Sequence, residues 1–121
     1  MKMSKAEINI YYPFACLYGK SCFPSRFVNQ ITKEDYLEKI IDAASEYGIE
    51  VHPIVAYATL GPDQFKPYKG HGAPEGRAGG HAACPSQESN RELVYNIMSE
   101  MIEKYSIKGI HLDYMRYPNM S

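Results

Sequence analysis

Hydrophobic positions along the chain follow two periods in turn. Residues 8–12 are β-branched and aromatic and predict a strand, with Pro13 as its end. Residues 13–31 keep no period and contain Gly19, Pro24 and Ser25, which predicts a long loop. Tyr36, Leu37, Ile40, Ile41, Ala44 and Tyr47 then share one helical face. Thr32 is the expected N-cap, Glu34 and Asp35 favour the positive end of the dipole, and Gly48 suits a left-handed C-terminal turn. Residues 49–57 read as a second strand, and the Gly- and Pro-dense stretch 58–86 as a second long loop. A second helix starts between Ser86 and Asn90, with Ser89 and Glu92 as a capping box. Its buried stripe is Leu93, Val94, Ile97, Met98, Met101, Ile102 and Tyr105, and residues 108–114 form a third strand.

The order is β-α-β-α-β, which implies parallel strands joined by right-handed crossovers. Both strand-to-helix loops are long and both helix-to-strand turns are short. In parallel α/β folds the strand-to-helix loops gather at the C-terminal ends of the strands, where active sites sit. The elaboration is therefore expected on the active face.

Composition narrows the functional classes. With 121 residues the chain makes one domain with a modest core. A net charge of -1 leaves no basic excess to neutralise phosphates, which argues against a nucleic-acid partner. No apolar run reaches the length of a membrane span. The first residues lack the apolar core of a signal peptide, and the compartment stays open. Cys16, Cys22 and Cys84 make an odd count without a Cys-x-x-Cys pair, so no disulfide framework is expected. Eleven tyrosines and no tryptophan suit either packing or the stacking of sugar rings.

The candidate chemistry lies on the third strand. Side chains alternate, so Ile110, Leu112 and Tyr114 share one face while His111, Asp113 and Met115 share the other. The apolar set suits packing on helices, which turns His111 and Asp113 to the opposite face. A carboxylate at the C-terminal end of such a strand reads as catalytic, or as a rim ion pair with Arg116 or His111. Arg116 pairs with Asp113 or orients a substrate group. His52 shares the parity of Ile54 and Ala56 and is either a substrate donor or a packed histidine. His71, His81 and His111 match no metal-ligand spacing, and Gly70-His71-Gly72 is not a phosphate-binding loop, so neither metal nor cofactor is expected.

The segment 105–118, Tyr-Ser-Ile-Lys-Gly-Ile-His-Leu-Asp-Tyr-Met-Arg-Tyr-Pro, resembles the Tyr-x-Val-Asp-Gly-Ile-His-Leu/Phe-Asp-Tyr/Asp…Arg-Tyr/Phe-Pro signature of bacterial glycoside-hydrolase-like TIM barrels. That group includes glycosidases of peptidoglycan. Residues 41–52 are similar to the family's run into its third barrel strand. Cys84-Pro85 with Arg91-Glu92 is similar to its entry into the next helix, and Tyr18-Gly19 with Pro24-Ser25 more faintly to its loop after strand two. Lys108, Pro53-Ile54 and Cys84 depart from the common Asp, Ala-Trp and Asn, which leaves the substrate subclass open.

The resemblance implies that residues 1–121 are a single partial domain corresponding to strands two to four of a (β/α)₈ barrel, whose complete form takes roughly 250 residues. It implies a glycosidase acting on a polysaccharide, with Asp113 catalytic and Arg116, His111, His52 and Tyr114 contacting substrate. The general acid is then expected from a later strand, so the chain alone should turn over little substrate. The alternative is a non-catalytic carbohydrate-binding barrel. The expected partner is a carbohydrate, with association through an open barrel edge as a further expectation. Members of the family are often exported or placed in the cell envelope.

Overall fold

The computed structural model describes residues 8–17, 19–56 and 88–113. Tyr114, Arg116 and the Gly-rich stretch with His71, His81 and Cys84 lie outside the described residues. The order is β1 (Ile10–Tyr11), β2 (Phe14–Leu17), β3 (Lys20–Ser21), β4 (Asn29–Gln30), α1 (Tyr36–Ser45), β5 (Glu50–Val51), β6 (Ile54–Ala56), α2 (Glu88–Lys104) and β7 (His111–Asp113). The fold is mixed α/β with mostly parallel strands, as the pattern predicts, and no closed barrel forms among the described residues.

β1 pairs in parallel with β5, and β2, β6 and β7 form a parallel row within a sheet ordered β4-β3-β2-β6-β7. The split into two ladders has a local cause. Pro13 and Pro53 sit side by side in the row, and neither has an N–H to donate. Their carbonyls still accept, from Ile54 N at 2.7 Å and His111 N at 2.9 Å. Pro13 therefore does not end the strand: the backbone stays extended and resumes pairing at Phe14.

The expected loop over 13–31 is wrong in its first half and at its end. After β2 the chain turns at Gly19, whose φ of 72° favours glycine. It returns as β3, antiparallel to β2, and then adds β4 parallel to β3. The intervening stretch is tied down by α2. The Glu100 carboxylate, 1% exposed, accepts from Ser25 Oγ at 2.7 Å and from Arg26 N at 2.8 Å. Ser25 Oγ in turn accepts from Phe27 N and Val28 N, and Lys104 Nζ donates to Pro24 O.

Two helix caps also differ from expectation, while α2 begins at Glu88, inside the expected 86–90 window. Asp35, not Thr32, caps α1: its carboxylate accepts from Glu38 N at 3.0 Å. The Thr32 hydroxyl instead donates to Glu34 O, closing a turn ahead of the helix. Ser89 lies inside α2, one residue after its first, so it is not an N-cap. Gly48 does end α1 with a φ of 69°, and Ile49 N bonds back to Ala44 O.

The core lies between the helices and one sheet face. Leu37, Ala44, Val51, Val55, Val94, Ile97 and Met101 are buried there, with Ile110 and Leu112 packed against them. Tyr36, Tyr47 and Ile102, expected in the buried stripes, are exposed, Ile102 by 61%.

Candidate functional site on the sheet face away from the helices

The opposite sheet face carries the polar groups. Alternation along residues 10–14 leaves Ile10, Tyr12 and Phe14 exposed while Tyr11 and Pro13 turn inward. On the neighbouring strand, His52, Ile54 and Ala56 keep that parity. Ile54 and Ala56 are buried yet are no part of the core cluster between helices and sheet. β7 adds His111 opposite Ile54 and Asp113 opposite Ala56. The register thus puts His52 on the same face as His111 and Asp113, with Asp113 the last residue of β7.

Ring contacts fix part of this face. Tyr12 meets His52 edge-on with centroids 5.6 Å apart and His111 edge-on at 5.4 Å. His52 Nε2 lies 3.1 Å from the Glu50 carboxylate on the same strand, two residues earlier. Its other ring nitrogen faces β7 at Gly109. A Cβ there would stand 2.9 Å from His52 Nδ1, so the absence of a side chain at 109 is what admits the imidazole. The polar groups thus climb the face obliquely, from Glu50 through His52 and His111 to Asp113, with the Tyr12 ring touching both imidazoles.

Sequence reasoning missed Tyr12, Glu50 and the role of Gly109. The parity of Tyr12 with Ile10 was legible, but its partners lie on strands 40 and more positions away. The same holds for Glu100, whose partners Ser25 and Arg26 lie more than 70 positions away.

Chemically, the face offers two carboxylates, two imidazoles and an exposed tyrosine ring, a set suited to hydrogen-bonding a polyhydroxylated ligand and stabilising positive charge. Among the described residues, neither Cys16 nor Cys22 is part of it. Burial, with Cys22 nearby, pushes the Cys16 thiol up to about 12, and burial followed by the Asp35 carboxylate raises Cys22. No group of three or more metal-ligating side chains forms among the described residues. No helix among them is long and apolar enough to cross a membrane.

No family model, curated protein or solved structure matches the chain.

Proposed function

We propose that the chain contributes the substrate face of a glycoside-hydrolase-like (β/α)₈ barrel, in which Asp113 is one of the two carboxyl groups that flank a scissile glycosidic bond. The observation that carries this reading is the position of Asp113: the last residue of the parallel strand β7, on the face that no described helix covers, two residues beyond His111. In such barrels that face lines the interior. The 105–118 signature supplies the family, and the structure supplies a compatible parity.

In this reading Asp113 acts as nucleophile or as a counter-charge to an oxocarbenium-like transition state. A second carboxyl group, the general acid, comes from a neighbouring strand of the barrel. Separations of about 5–5.5 Å or about 6.5–9.5 Å between the two would give retention or inversion. His52 and His111 hydrogen-bond sugar hydroxyls, and Arg116 and Tyr114 complete the rim. A hollow of about 330 Å³ beside β7, lined by Met98, Ile102, Ile107, Lys108, Gly109 and Ile110, supports the barrel reading, since the next helix of a barrel packs at that place.

Saturation-transfer NMR with a panel of neutral and amino-sugar oligosaccharides tests the ligand class. Contact signals are expected for at least one, and silence across the panel would refute the reading. Wherever hydrolysis is measured, Asp113→Asn should lower kcat by about 10²–10³-fold or more while leaving KM near its original value. An unchanged kcat would remove Asp113 from the chemistry. Binding that no member of the panel converts to turnover would identify a carbohydrate-binding barrel instead.

A further inference from the structure

We infer that Tyr12 is the positioning residue of this face: its ring sets the orientation of both the His52 and the His111 imidazoles. The inference takes the proposed saccharide site as its setting, but its physical content stands on the packing.

Tyr12 is 47% exposed, yet its ring contacts two imidazoles carried by two different strands. His52 has a second anchor, the Glu50 carboxylate at 3.1 Å. His111 does not: among the described residues no hydrogen bond or ion pair holds its side chain, and its ring lies edge-on to Tyr12 at 5.4 Å. The Tyr12 hydroxyl likewise makes no hydrogen bond among the described residues. The contacts are between ring and ring, so a phenyl ring at position 12 should serve as well as a phenol. Tyr12 thereby ties the second strand of the row to β7 on the side facing ligand. Asp113 lies two residues beyond His111 on the same face.

The test compares Tyr12→Phe, Tyr12→Leu and Tyr12→Ala in the full chain. Imidazole rotamers are read from side-chain coupling constants, and folding is checked by amide spectra. In the wild type and in Tyr12→Phe, His111 should hold one rotamer. In Tyr12→Leu and Tyr12→Ala it should average over several, while His52, kept by Glu50, should loosen less. Affinity for the best-bound oligosaccharide should fall about tenfold in Tyr12→Leu and stay within about twofold in Tyr12→Phe. A single His111 rotamer in Tyr12→Leu overturns the inference, as does equal loosening in Tyr12→Phe. Should Tyr12→Ala fail to fold, Tyr12→Leu gives the answer, because it keeps an apolar side chain and removes only the ring. Rotamers need no sugar: averaging in Tyr12→Leu without saccharide binding by the wild type would sustain the positioning role and reject the glycosidase reading.

Discussion

Replacing Gly109 by alanine places a methyl carbon 2.9 Å from His52 Nδ1 and 3.1 Å from its Cε1. Ordinary contact between heavy atoms lies near about 3.5–4.0 Å. The imidazole must therefore retreat by several tenths of an ångström. Its retreat is opposed on the far side by Tyr12 and along the strand by the bond to Glu50. Overpacking of this kind costs about 1–3 kcal/mol. Loss of glycine's freedom in the unfolded chain returns about 0.4–1 kcal/mol, because Gly109 has no positive φ to forfeit. The net expectation is a destabilisation of about 0.5–2 kcal/mol, measured by urea unfolding followed by circular dichroism. The decisive measurement is a double-mutant cycle with His52→Ala. Without the imidazole, Gly109→Ala should become neutral or stabilising, giving a coupling of about 1 kcal/mol or more between the two sites. Additivity within about 0.5 kcal/mol would refute the claim that the ring occupies the space at Gly109.

Further outcomes are expected elsewhere in the fold. Glu100→Ala should cost about 2–4 kcal/mol in the same assay, because it strands the Ser25 hydroxyl and the Arg26 N–H in a buried place; a change below about 0.5 kcal/mol would contradict the clamp. Asp35→Ala should cost about 1–2 kcal/mol, since Asp35 caps α1 and also accepts from the Tyr105 hydroxyl, whereas Thr32→Ala should cost clearly less; the reverse order would restore Thr32 as the cap. Burial raises the Cys16 thiol to about 12, and burial also raises Cys22, so the folded chain keeps protons that the unfolded chain loses. Stability from these thiols is therefore fully present below about pH 9 and should decline as pH rises; for Cys16 the decline continues towards about 12, at up to about 1.4 kcal/mol per pH unit. Tyr105, raised by burial and then by its bond to Asp35, extends that decline above about pH 10. A Cys16→Ala variant should show a shallower alkaline slope in unfolding measured across this range, and an unchanged slope would count against the buried thiol as its source.

The sequence by itself determined the kind and order of the main elements. Helix periodicity in 36–45 and 93–104, the glycine after α1, and the β-branched runs at 10–11, 50–51 and 54–56 are local signals. They survive because hydrogen bonds within a helix and alternation along a strand depend on near neighbours. Parity alone also put His111 and Asp113 on one face of their strand, while the register with residues 54–56 brought His52 to the same side. Pro13 misled, because a proline lacking an N–H usually marks an end, while here its neighbour across the sheet needs only its carbonyl. The hairpin into β3, the burial of Glu100 beneath residues 25–28, the seating of His52 over Gly109 and the contact of Tyr12 with two imidazoles were decided by tertiary structure alone. Each joins residues far apart in the chain, and each is stable only once the strands have set the distance between them. A one-dimensional pattern can state which face a side chain takes, but what it meets on that face depends on the register between strands, fixed here by the pairing of residues 10–16 with 50–55 and of 54–56 with 111–113.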